Sequence, residues 1–332
     1  MPFEIVRNDI VRVHADAIVN TANPNPVIGG GTDAGIHAAA GPELLQARRQ
    51  IGPIAVGEAA ITPGFRLPAK YVIHTVGPQW RGGGAGEEQL LEKCYRCCLE
   101  LAVKQGCESI AFPLISAGTY GFPRDRALQC AVRAISAFLM EQELQILLVV
   151  FNREAFRLSE QLFRDVRSYI DEHYVEQTLR AEGWTRPLLR NRMLERECCY
   201  APAAAAPLSL EDVLREEDMG FSEALAKLIG ERGLKNSQVY KRANLTKQHF
   251  SKLLNNPGSR PTKPTALALA LALELDLEQT RELIGRAGYA LTNSSKFDLI
   301  VRYFIERGFY DVLQINLTLY EYDQPLLGAK DF

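Results

Sequence analysis

Residues 18–41 read IVNTANPNPVIGGGTDAGIHAAAG and carry the side chains best suited to chemistry. Asn20 and Asn23 precede three consecutive glycines, Gly29, Gly30 and Gly31, and Thr32 and Asp33 follow them. Glycine has no Cβ, so its backbone can come close to a ligand and take up positive φ. Such a loop at the start of a helix aims unpaired N–H groups at an anion, most often a phosphate. A second loop, SAGTY at residues 116–120, follows an apolar run. Neither loop contains lysine or arginine, so a bound diphosphate would be held by oriented backbone dipoles. A carboxylate at Asp33 could activate a water or stabilise an oxocarbenium-like centre. Each residue also has a plainer role: Asp33 as a helix N-cap, Asn20 as a tie for the loop backbone, Asp9 as a turn residue and Phe151 as core. His37 follows Asp33 by one helical turn and either orients it or packs; His74 reads as a core histidine.

These residues need elements to position them. In the first half, strand and helix signals alternate. FEIVRNDIV, ADAIVNTAN, YVIHTVGP, SIAFPLIS and LQILLVVF read as strands. TDAGIHAAAGPELLQARRQI reads as one helix, followed by helices over EEQLLEKCYRCCLELAVKQ, RDRALQCAVRAISAFLMEQ and REAFRLSEQLFRDVRSYIDEHY. This alternation implies an α/β fold, a mostly parallel sheet with helices on both faces. Ligands bind such sheets at strand ends, where residues 20 onward, 116 onward, and Phe151 with Asn152 all fall.

The motifs NDI, AIVNTAN, GGGTDAGIHAAAG, LPAKYVIHTVGP and FPLISAGTYGFP occur in one order over the first half of the chain. They resemble the macrodomain family, specifically its MacroD-like ADP-ribosyl hydrolase branch. The resemblance implies a three-layer α/β/α sandwich with a mixed, mostly parallel sheet. It implies that Asp9 and the Ile10 backbone meet the adenine, that Phe151 stacks on it and that Asn152 lies beside the nucleoside. Gly29, Gly30, Gly31 and Thr32 match the first phosphate loop, and Ser116, Ala117, Gly118, Thr119 and Tyr120 the second. Asn20 falls in the same ligand set, Asn23 matches the asparagine that fixes the distal ribose, and Asp33 the aspartate implicated in hydrolysis; Asp33 and Asn23 are the expected catalytic residues. The branch usually carries GGGGVD where this chain has GGGTD; Thr32 is β-branched like valine and adds a hydroxyl.

Residues 180–196 are arginine-rich, and APAAAAPLS has the composition of a linker. The expected division is a macrodomain over residues 1–172, a partly helical linker over 173–218 and an all-α domain over 219–332. Residues 221–257 are similar to a lambda-repressor-like helix-turn-helix. Its second helix would run over about residues 237–243, and Thr246 would cap a recognition-like helix ending near residue 254. The polar first turn, with Thr246, Lys247, Gln248 and His249, then Lys252, is where this motif reaches base edges or phosphates. Over residues 219–263 there are nine Lys/Arg against two Glu. The tail from Phe297 onward is expected to pack on this bundle or to form a dimer contact.

Length and composition bound the rest. A chain of 332 residues with 47% hydrophobic and 23% charged residues is expected to be a soluble protein of two domains. A net charge of −2 argues against a uniformly basic surface. Seven cysteines without zinc-finger spacing read as buried thiols. No signal pattern or membrane-length apolar run is evident, so a cytoplasmic location is expected, with no metal, no cofactor and no membrane partner; an oligomer is possible. The resulting expectation is an enzyme that binds ADP-ribose and hydrolyses ADP-ribosyl groups from protein acidic residues or deacetylates O-acetyl-ADP-ribose. A non-catalytic reader and an ADP-ribose-sensing DNA-binding regulator stand as alternatives.

Overall fold

The structure, a computed structural model, describes residues 2–151, 165–170, 219–256 and 260–328. Six strands form one sheet: β1 (Phe3–Arg7), β2 (Ala15–Thr21), β3 (Ala59–Pro63), β4 (Ala69–Thr75), β5 (Ser109–Pro113) and β6 (Gln145–Val150), in the order β1-β6-β5-β2-β4-β3. Every pairing is parallel except β3 with β4. Strand β3 carries no strong apolar alternation and is absent from the sequence reading. It exists because it pairs back along β4.

Alternate residues of each strand face opposite layers. Ala17 and Val19 pack with α3 (Glu87–Lys104) and α4 (Arg124–Glu141), whereas Ile18 packs with α1 (Thr32–Ala40) and α2 (Pro42–Ile51). The thiols of Cys94, Cys98, Cys107 and Cys130 are buried, and Cys97 is half-buried; Cys198 and Cys199 lie outside the described residues. The single helix expected over residues 32–51 is in fact two. Gly41 adopts φ 92°, and Pro42 starts the second helix where its missing N–H costs nothing.

The second body is helical: α5 (Phe221–Glu231), α6 (Asn236–Arg242), α7 (Lys247–Asn255), α8 (Lys263–Ala272), α9 (Leu277–Arg286), α10 (Lys296–Glu306) and α11 (Val312–Glu321). Helix α8 is apolar on every side because it forms the centre of this body; residues Thr265 to Ala272 are all buried. Residues 165–170, expected to close the sheet domain, instead place Val166, Tyr169 and Ile170 in the helical core, where the Tyr169 hydroxyl donates to Glu306 at 2.7 Å. The expected linker at 173–218 lies outside the described residues. The tail does more than cover the bundle: Leu313 and Leu317 of α11 belong to the core shared by α3 and α4.

The two bodies meet at the edge strand. The Phe3 N–H donates to Asn244 Oδ1 at 3.0 Å, and Asn244 Nδ2 donates to the Phe3 carbonyl at 2.9 Å. Asn244 lies between α6 and α7 with φ 56°, and its amide stands in for the strand that β1 lacks on that side. The Tyr240 hydroxyl donates to Glu143 at 2.8 Å, and Lys241 Nζ to the Met140 carbonyl at 2.8 Å. Replacing Asn244 by alanine leaves both Phe3 backbone groups buried without partners. Urea denaturation should show a destabilisation of about 2–4 kcal/mol, against little change for the exposed Asn255→Ala.

Candidate functional site

The C-terminal ends of the parallel strands form one rim of the sheet. The loop after β2 carries Asn23 and the glycines; the loop after β5 carries residues 114–120. Together they line a cavity of about 250 Å³. Asn23, Gly29, Gly30, Gly31, Thr32, Asp33, Ser116, Gly118, Thr119 and Tyr120 of the expected site all line it. Gly31 adopts φ 62° as the N-cap of α1, a conformation that a side chain strains. The first-turn N–H groups of α1 have no partner within the helix. They start at the cavity wall, beside Thr32 and Asp33. Ser116 adopts φ 63°, and its buried Oγ has no hydrogen-bond partner among the described residues. Gly77 closes the floor, where a Cβ would fall 2.1 Å from Ser116 Oγ.

Asp33 is 2% exposed. It does not cap α1. Its carboxylate turns back and accepts the Gly29 N–H at 2.5 Å and Asn20 Nδ2 at 2.6 Å, with His37 Nε2 3.5 Å away. It therefore holds the glycine loop against the helix that the loop opens. Asn20, expected to touch ligand, is a correction: it is fully buried behind Asp33 and does not line the cavity. The cause is its place within β2, where Asn20 pairs with His74 and points into the layer. Its Nδ2 also reaches His74 Nδ1 at 3.1 Å, and His74 Nε2 lies 3.0 Å from Thr62 Oγ1. Since Asn20 Nδ2 is a donor, His74 accepts at Nδ1 and carries its proton on Nε2.

Burial holds this imidazole neutral and, with Arg48 and His37 nearby, pushes the His74 pKa down to about 3. Burial lowers that of His37 as well, against the pull of Asp33. Arg48 of α2 went unnoticed in the sequence. Its guanidinium donates to the Gly52 carbonyl and to the carbonyls of Asn23 at 3.2 Å and Pro24 at 3.3 Å, fixing the backbone that presents Asn23. Nothing in its local sequence separates it from its neighbour Arg49, which is exposed.

Further along the rim, the Asn8 N–H donates to the Val150 carbonyl, so β1 and β6 end together. Phe151 follows β6 and is 73% exposed, unlike a core aromatic. Asp9 caps the short turn Ile10–Arg12 through the Val11 N–H at 3.2 Å, and Ile10 is buried. Ala117 packs against the sheet core and not into the cavity. Asn152 lies outside the described residues. From β1 to β2 the rim spans three strand spacings, about 14 Å. Among the described residues no cluster of His, Cys, Asp and Glu could hold a metal ion.

In the helical body, Thr246 caps α7 by accepting the His249 N–H at 3.3 Å. Lys247, Gln248, Ser251, Lys252 and Asn255 form its exposed face, and His249 is half-buried. The helix that precedes the turn, α6, faces the sheet domain through Tyr240 and Lys241.

Residues 19–131 match the Macro domain family, and residues 224–284 match the Cro/C1-type HTH DNA-binding domain. A protein of Citrobacter rodentium named O-acetyl-ADP-ribose deacetylase is 51% identical over 164 residues, covering 48% of this chain and 93% of the relative. A macro domain-containing protein of Methanosarcina mazei is 49% identical over 153 residues, covering 46% and 82%. Among solved structures, the Oceanobacillus iheyensis macrodomain with ADP is 39% identical, covers 51% of this chain and 92% of that one, and has a TM-score of 0.45. No helix among the described residues is long and apolar enough to cross a membrane.

The buried neutral His74 has a consequence for stability. Its folded pKa of about 3 lies below the ordinary 6.5, so the unfolded chain binds the extra proton between these values. Its contribution is fully present above pH 6.5 and is lost as pH falls towards 3. In that window His74→Asn should flatten the stability-against-pH slope by up to about 1.4 kcal/mol per pH unit relative to the parent, read from urea midpoints at each pH.

Proposed function

This chain belongs to the macrodomain family, and we propose that its first half binds ADP-ribose and hydrolyses esters of the distal ribose. The substrates of this reading are O-acetyl-ADP-ribose and ADP-ribosylated aspartate or glutamate side chains. Water adds, the ester C–O bond breaks, and ADP-ribose and a carboxylic acid are released. The observation that carries the reading is the convergence of two loops without lysine or arginine, together with Asn23 and Asp33, on one cavity. Uncharged loops of this kind select a diphosphate by dipoles and N–H geometry. The name of the Citrobacter relative supports the same chemistry.

In this reading Phe151 stacks on adenine, with Asp9 accepting from its amine. The N–H groups at residues 30–32 and 116–120 hold the diphosphate, joined by the Ser116 hydroxyl, while the Gly29 N–H stays bonded to Asp33. Asn23 fixes the distal ribose and Tyr120 packs beside it. Asp33 orients the attacking water through the glycine loop that it anchors, and Thr32 adds a hydroxyl at the same wall. Asp33→Ala removes both functions. Turnover of O-acetyl-ADP-ribose should fall at least about 100-fold. Calorimetric ADP-ribose affinity should fall by only about tenfold, the share of one loop anchor. If the variant keeps its turnover, Asp33 has been misassigned. Binding without turnover in the parent protein would make the chain a reader.

One observation favours a second role for the other half. The exposed face of α7 presents Lys247, Gln248, Ser251, Lys252 and Asn255, and neither α6 nor α7 contains an acidic residue. Such a face suits the major groove of duplex DNA. Replacing Lys247 and Lys252 by alanine should weaken binding to duplex DNA and reduce the slope of log K against log salt by about two. A parent protein that binds no duplex at low salt would end this reading.

A further inference from the structure

The 250 Å³ cavity does not end at the distal-ribose residues. Asn23, Gly77 and Tyr120 also line a second cavity of about 500 Å³ on their far side. We propose that this second cavity is a leaving-group subsite that takes a polypeptide segment bearing an ADP-ribosylated acidic side chain. The inference rests on the ester-hydrolase reading above and concerns what is attached to the ester.

Size is the first argument. An acetyl group has three heavy atoms and occupies a small part of such a space. Lining chemistry is the second. Val56, Pro78 and Leu90 give an apolar wall, and Val56 is 41% exposed; Gln79 and Arg81 are exposed and polar. Arg81 is the one cation on this lining and has no ion-pair partner among the described residues. A single guanidinium on this lining can donate to the carbonyl of the bound linkage and to the one carboxylate that hydrolysis leaves. A nucleic-acid strand would call for several cations along its track.

The third argument is that the wall is fixed in place. Glu87, 3% exposed, accepts the backbone N–H groups of Arg81 at 3.1 Å, Gly83 at 3.1 Å and Ala85 at 2.7 Å. The Trp80 N–H donates to the Tyr120 carbonyl at 2.9 Å, and its ring packs on Phe122 with centroids 4.6 Å apart. The loop that carries Arg81 is thus bonded to the same loop that lines the phosphate site. A substrate seated in one cavity meets a preformed surface in the other, with little ordering cost.

The test uses the full chain and the double variant Val56→Asp, Arg81→Glu; both side chains are exposed, so thermal unfolding should be unchanged. Calorimetry compares ADP-ribose with a glutamyl peptide joined to ADP-ribose through a hydrolysis-resistant amide. The parent should bind the conjugate about fivefold more tightly than ADP-ribose, and the variant should lose that preference while ADP-ribose affinity stays within about twofold. Equal affinity of the parent for both ligands would overturn the subsite, as would an equal loss on both ligands in the variant. So would a preference for an ADP-ribosylated oligonucleotide that the variant abolishes. These are binding readouts, so a parent that binds but does not hydrolyse fails the enzymatic reading and leaves the subsite standing. A parent that binds neither ligand removes both.

Discussion

The buried carboxylate of Asp33 is the interaction on which the rest of the rim depends. A carboxylate at 2% exposure is costly unless hydrogen bonds replace its water. Here the Gly29 N–H and the Asn20 amide do so, with His37 alongside. Because a carboxylate only accepts, every one of its partners must present a donor. That requirement settles the orientation of the Asn20 amide, which then decides the tautomer of His74, whose remaining proton goes to Thr62. One anion thus links the glycine loop to three strands of the sheet. The chain's own hydrogen bonds fix the shape of the loop, as a site that works through oriented dipoles requires.

The same geometry explains how two loops without lysine or arginine can still suit a diphosphate. Backbone N–H groups are numerous and cannot fold away, but they act only at hydrogen-bond distance. The chain must therefore come very close to the ligand, and large side chains are excluded. Gly77 shows the constraint from behind: a Cβ there would collide with Ser116, whose strained φ turns the second loop into the cavity. Arg48 completes the frame from the opposite side by fixing the carbonyls of Asn23 and Pro24.

The helical body docks at the opposite end of the sheet. Phe3 and Glu143 lie at the starts of β1 and β6, whereas Asp9 and Phe151 follow their ends. Helix α4 begins just after the second loop and finishes at Met140 and Glu141, against α6. The candidate site is left open by this arrangement, and α7 keeps its polar face in solvent. Helix α4 and the edge strand β1 both run between the rim and the end of the sheet where the helical body docks.

Much of this was legible in the linear order of residues. Alternating strand and helix periods gave the layered architecture, because side-chain burial repeats every two residues in a strand and about every 3.6 in a helix. A glycine run after β2 and a short turn with one glycine, Gly118, after β5 marked the two loops, and a polar turn after Thr246 marked the capped helix α7. Partners brought together across the sheet left no local trace. Strand β3 is held by pairing with β4; Asn20 turned inward because its register places it beside His74; Arg48 differs from Arg49 only in the face of α2 that it occupies. The division of one expected helix at Gly41 and the capture of residues 165–170 by the helical core are of the same kind. Sequence determined which segments could fold and which residue types could bind an anion, since those follow from local sterics and periodicity. Tertiary structure alone decided which polar side chain faces ligand and which supports it, since that depends on contacts between residues far apart in the chain.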